Sequence, residues 1–123
     1  MKHRPKYLDL KRIRLPLPGI VSILHRASGL ILFIFIPFLL FLLQSSLQSG
    51  QDFSLLVSRL ASVPAKLSLV FLLWAFLHHF CAGVRILLLD MDIGVSLKTA
   101  RASSKWVIAA SLLATLLIGM SLW

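Results

Sequence analysis

Four ionisable side chains, His25, Arg26, His79 and Arg85, lie within or at the edge of long apolar stretches of this 123-residue chain. Such groups are costly in hydrocarbon, so each marks a candidate site. At ~100° per residue, His79, Gly83, Ile86 and Asp90 share one helical face. A histidine with glycine at i+4 leaves a flat gap beside an imidazole. That shape suits a planar macrocycle such as haem, ligated through a neutral ring nitrogen. The same spacing would equally serve plain packing, with the histidine bonded to a neighbouring helix and Gly83 allowing close approach. His78 points ~100° away, onto the face carrying Arg85, where it could meet a partner surface or a backbone carbonyl. Spacing leaves both histidines open as ligand, with Gly83 favouring His79.

Ser22, His25 and Arg26 fall at i, i+3 and i+4, on one side of a helix. A hydroxyl and a guanidinium near a membrane surface could hold the carbonyl oxygens of a quinone. The commoner alternative is a first helical turn with a snorkelling arginine. His79 lies eleven residues before Asp90, hence ~16 Å below that boundary. A macrocycle at this depth could extend its carboxylates towards His25 and Arg26, and arginine suits carboxylates well. The chain offers one clear axial ligand; a second must come from elsewhere.

The elements that must position these residues are membrane helices. Hydrophobic residues make up 59% of the chain and charged ones 14%, where soluble domains carry roughly a quarter. Mean hydropathy is +0.93. The first apolar run, Ala27 to Leu43, extends back to Ile20 and is long enough to cross the hydrocarbon, with Pro37 expected to kink it. Its long basic lead and the lack of an Ala-x-Ala site argue against a signal peptide. The second run, Leu67 to Leu89, is closed by Asp90 and Asp92, and the third, Trp106 to Trp123, is bracketed by interfacial tryptophans. Between the first two, Phe53 to Leu60 has the spacing of a helix lying at the interface. The expectation is one all-α membrane domain over 1–123. A basic arm covers 1–19 and transmembrane helices cover 20–44, 65–90 and 105–123.

The net charge of +9 is explained by orientation rather than by nucleic acid, for which no binding motif is present. Six Lys or Arg precede Arg26, and Lys98, Arg101 and Lys105 lie in the second loop. These place the N-terminus and second loop in the cytoplasm and the C-terminus in the periplasm. Cys81, the single cysteine, has no internal disulfide partner and reads as a packing residue. There is no dinucleotide motif and no cysteine cluster for iron and sulfur.

Arg4-Pro5, Leu8-Asp9-Leu10, Pro16 and Ser22-Ile23-Leu24-His25-Arg26-Ala27-Ser28-Gly29 resemble the start of the cytochrome b membrane-anchor subunit of bacterial succinate dehydrogenase, the succinate:quinone oxidoreductase of complex II. His79, Gly83, Arg85 and Asp90 resemble that family's haem-ligand signature, and the likeness covers nearly the whole chain. It implies that His79 is one axial ligand of a haem b shared with a second hydrophobic anchor subunit. It implies a ubiquinone site lined by Ser22 and Arg26, with Leu10, Leu15 and Ile23 as apolar walls. His25 and Arg26 would approach the haem propionates. The implied partners are the second anchor, an iron-sulfur subunit and a flavoprotein subunit in the bacterial inner membrane, so this chain catalyses nothing alone. Some relatives carry a further histidine where this chain has Ile86, and His78 is an addition. The alternatives are a haem-free anchor of a related succinate or fumarate oxidoreductase and a small pore-forming membrane protein.

Overall fold

The computed structural model describes residues 15–121, which form four helices: α1 (Leu17–Gln48), α2 (Gly50–Leu60), α3 (Val63–Asp90) and α4 (Leu97–Ser121). Three of them, α1, α3 and α4, are long and apolar enough to cross a membrane. The basic residues ahead of Leu15, together with Leu10 and Trp123, lie outside the described residues.

Local chemistry sets the helix ends. Pro18 and Pro64 occupy early positions in α1 and α3, where a missing N–H costs nothing. α2 begins at a reciprocal cap. The Asp52 N–H donates to Ser49 Oγ at 3.1 Å, and the Ser49 hydroxyl donates to the Asp52 carboxylate at 2.6 Å. α3 stops at a tight turn in which Asp92 and Gly94 take positive φ, 60° and 80°. Ser96 then caps α4, its Oγ accepting from the Thr99 N–H at 3.3 Å.

The helices outrun the expected spans. α1 starts three residues before Ile20 and ends four after Gln44, and it runs through Pro37 without a break. At ~1.5 Å per residue its 32 residues reach about 48 Å, well beyond a ~30 Å hydrocarbon core. α4 begins at Leu97 rather than at residue 105, so most of the second loop is helical. Lys98, Arg101 and Lys105 signal a polar environment, but they are good helix formers and do not interrupt the coil.

α3 packs against both α1 and α4, which touch each other less. The three meet at Val21, Ala82 and Val107, with Cys81 and Ile108 packed alongside, so the lone cysteine is a packing residue as expected. Along α4 the buried positions Ser104, Val107, Ser111, Thr115 and Gly119 recur every three or four residues. Small side chains let backbones approach closely where lipid supplies no hydrophobic drive between helices. The most apolar stretch of α1 has none of its residues buried within the chain. That surface is finished only by lipid or by another protein.

Candidate functional site

The two histidines of α3 have opposite surroundings. His79 lies in the seam between α1 and α3, half-buried, with its ring stacked on that of His25: the centroids are 4.2 Å apart and the planes 9° from parallel. Its Nδ1 stands 3.0 Å from the His25 carbonyl oxygen and 3.4 Å from Ser28 Oγ. Ser28 is buried and donates its own hydroxyl hydrogen to the same carbonyl at 2.9 Å. A carbonyl can only accept, so in the neutral ring Nδ1 carries the proton and Nε2 keeps the lone pair. That lone pair lies in the ring plane, so stacking on the ring face does not cover it.

Gly29 makes this arrangement possible. A Cβ there would come 2.7 Å from His79 Cε1, closer than side chains are found to approach, and a tight 3.1 Å from Nδ1. Gly83 has a different neighbour from the one its spacing suggests. The space over it faces His25 Nε2, at 3.4 Å from a would-be Cβ. The flat gap expected beside His79 is therefore filled by the imidazole of α1. Helical periodicity could place Gly83 on the face of His79 but could not show which residue of another helix would enter the gap.

His78 faces the interior, 1% exposed, against Trp74 and α4. Its Nδ1 is 3.5 Å from Ser111 Oγ, while Nε2 has no partner of good hydrogen-bond geometry among the described residues, although the Val21 backbone lies near it. It does not reach a partner surface. Arg85 shares this inward face, as its ~100° per residue spacing requires. Arg85 Nε donates to Ser103 Oγ at 2.9 Å and its terminal nitrogen to the Ala100 carbonyl at 3.2 Å. These bonds tie the end of α3 to the start of α4, so here Arg85 holds helices together.

Ser22, Ile23, Arg26 and Leu15 form an open patch at the start of α1. Ser22 is half-buried, Arg26 exposed, and Ile23 and Leu15 are each 49% exposed. A ligand here would need further walls from other chains. The described residues contain no group of three or more His, Cys, Asp or Glu side chains that could enclose a metal ion. Iron held by His79 would need its remaining ligands from a macrocycle and a second protein. Offsets of three and four from His25 put Ser28 and Gly29 beside it on α1, but nothing in that spacing shows that His79 of α3 meets them.

Three long helices with a sparse shared core and one uncovered apolar helix define a multi-pass membrane subunit that packs with others. The family described as succinate dehydrogenase/fumarate reductase transmembrane subunit matches residues 1–118, and the chain belongs to it. It is thus a membrane-anchoring part of an oxidoreductase complex. The chain is similar to the succinate dehydrogenase cytochrome b556 subunit of Coxiella burnetii, 35% identical over 121 residues, 98% of this chain and 97% of the relative. The subunits of that name from Rickettsia felis and Paracoccus denitrificans are each 30% identical over 115 residues. These matches cover 94% of this chain and 90% and 88% of the relatives. Bacterial relatives and three spanning helices make it a multi-pass protein of the inner membrane.

Proposed function

We propose that this chain is the cytochrome b subunit of a succinate dehydrogenase, that His79 is an axial ligand of haem b, and that Ser22 and Arg26 bind ubiquinone. The observation that carries the haem assignment is the hydrogen bond from His79 Nδ1 to the His25 carbonyl. Ligating histidines characteristically donate their second ring nitrogen in this way, which fixes the tautomer and raises the basicity of the other. The residues fit the group: Nε2 of a half-buried ring is free to ligate, and the exposed apolar flank of α1 awaits a second helix bundle. His78 fits poorly, because the interior of the chain closes around it.

Haem b, when bound, supplies a one-electron store beside the quinone. The chain's own residues do the rest. His79 would hold the iron through Nε2, and the second anchor subunit would supply the other protein ligand. His25 stacks on His79 and, with Arg26, approaches the propionates, where a guanidinium offsets carboxylate charge. The Ser22 hydroxyl donates to a quinone carbonyl oxygen, and Arg26 stabilises negative charge as that oxygen is reduced. Leu15 and Ile23, with Leu10 outside the described residues, supply apolar walls, and other subunits close the site. Electrons arrive from an iron-sulfur subunit fed by a flavoprotein. This places the start of α1 and the turn between α3 and α4 on the cytoplasmic side, the C-terminus in the periplasm. It also gives the complex a place in the tricarboxylic acid cycle and the respiratory chain.

The test is a dithionite-reduced optical spectrum of the membrane complex purified through this chain, paired with quinone-reduction rates for Ser22→Ala and Arg26→Leu. A b-type band, with both variants slowed in assembled complexes, is expected. A bandless complex that still carries its soluble partners would leave a haem-free anchor. Unchanged rates in both variants would remove the quinone assignment. Family membership gives the pore-forming reading no support.

A further inference from the structure

The opposite end of the bundle carries a second polar feature, far from the histidines. A cavity of about 380 Å³ opens between the C-terminal half of α1, α2 and the start of α3. Gln48, Asp52 and Arg59 line it together with Ser45, and the rest of its wall is apolar. A smaller cavity of about 180 Å³ shares Phe38, Leu42, Leu60 and Ala65 with it and continues along α3 to Leu72. Together they make a furrow charged at one end and apolar along the rest.

The charges are specific. Asp52 and Arg59 are seven residues apart on α2, so they share a face with ~10 Å of rise between them. Asp52 spends one carboxylate contact on the Ser49 hydroxyl and keeps the remaining lone pairs. Among the described residues no hydrogen bond or ion pair engages the Arg59 guanidinium. Phosphate matches a free guanidinium in charge and geometry. The nearby carboxylate disfavours a purely anionic headgroup and favours one that also carries an ammonium. A quinone would use neither charge. α2 itself exposes Phe53 and Val57 one turn apart, away from the cavity that Leu55 lines, giving an apolar face suited to a membrane interface, which sets the furrow's mouth at headgroup depth.

We infer that this furrow binds one phospholipid with an amine headgroup, its phosphate at Arg59, its ammonium at Asp52 and one acyl chain along Phe38, Leu42 and Leu72. The site is independent of the haem and quinone assignments. It joins α2 to both α1 and α3, so the lipid acts as a filler of the chain's least packed end.

Native mass spectrometry of the delipidated membrane complex, titrated with phosphatidylethanolamine or phosphatidylglycerol, tests this. The wild type should retain one phosphatidylethanolamine. Arg59→Gln should weaken retention at least about tenfold, as loss of a charge-assisted contact requires. Ala65→Trp should fill the shared stretch and abolish retention. Asp52→Asn should erase the preference for phosphatidylethanolamine over phosphatidylglycerol. The reduced optical spectrum, which reports on the other end, should stay the same throughout, and Arg59 is exposed, so its variant leaves the fold intact. Retention indifferent to both Arg59→Gln and Ala65→Trp would overturn the site. So would a retained mass belonging to a quinone, equal wild-type affinity for the two lipids, or a crosslinker at position 59 capturing a neighbouring subunit instead of lipid.

Discussion

The seam between α1 and α3 and the seam between α3 and α4 receive consecutive histidines and treat them in opposite ways. At the first, His79 keeps a half-open ring, one nitrogen tied to a backbone carbonyl and the other left free. At the second, His78 is enclosed by Trp74, Ser111 and small α4 side chains, with Arg85 bonded across the same interface. One residue of helical rotation separates the proposed ligand from a core residue. The difference comes from what faces α3. α1 presents Ser28 and Gly29, which leave room for an imidazole, whereas α4 presents a tight stripe of small residues that lets two backbones close.

That contrast can be broken most strongly at Gly29. Gly29→Ala places a methyl 2.7 Å from His79 Cε1. It should cost about 1–3 kcal/mol by overpacking and lower the haem retained per purified complex. Gly50→Ala, where a Cβ meets nothing within 4 Å, should change neither retention nor spectrum. At the second seam, Arg85→Met removes two charge-assisted bonds to α4 and should destabilise the subunit by about 1–3 kcal/mol, read by thermal unfolding in detergent. Its reduced spectrum should keep the wild-type shape. Ser28→Ala sharpens the first seam. It leaves the 3.0 Å bond from His79 to the His25 carbonyl, so the loss should stay under about 1 kcal/mol, seen as a small shift in the band or its midpoint potential. Among the substitutions within the two seams, His78→Leu should do least. It replaces a buried ring whose Nε2 has no well-formed bond, and Ser111 still donates to the Ile108 carbonyl, so stability should move by no more than about 1 kcal/mol.

Much of the architecture was legible because long apolar runs admit few structures in lipid. Three spanning helices and a helix over Phe53 to Leu60 follow from length, patterning and the bordering polar residues. That His78 and Arg85 share a face follows from 3.6-residue periodicity, seven residues being almost two turns, whereas the inward direction of that face does not. What could not be read lies between helices. Periodicity sets a residue's face but not the partner facing it: spacing pairs Gly83 with its own helix's histidine, whereas His25 of α1 occupies the space. The contacts of Gly29 and Ser28 are with a residue fifty or more positions away, and no local pattern encodes that register. The early start of α4 is not legible in the sequence because charge marks a membrane boundary and not a helix boundary.

The most direct measurement is the dithionite-reduced optical spectrum of the purified complex carrying His79→Leu, set beside that of His78→Leu. The account predicts that the b-type band is lost or grossly shifted in the first and stays at wild-type position and intensity in the second. A band that survives His79→Leu and disappears in His78→Leu would contradict it, and would mean that the closed seam, not the open one, holds the iron.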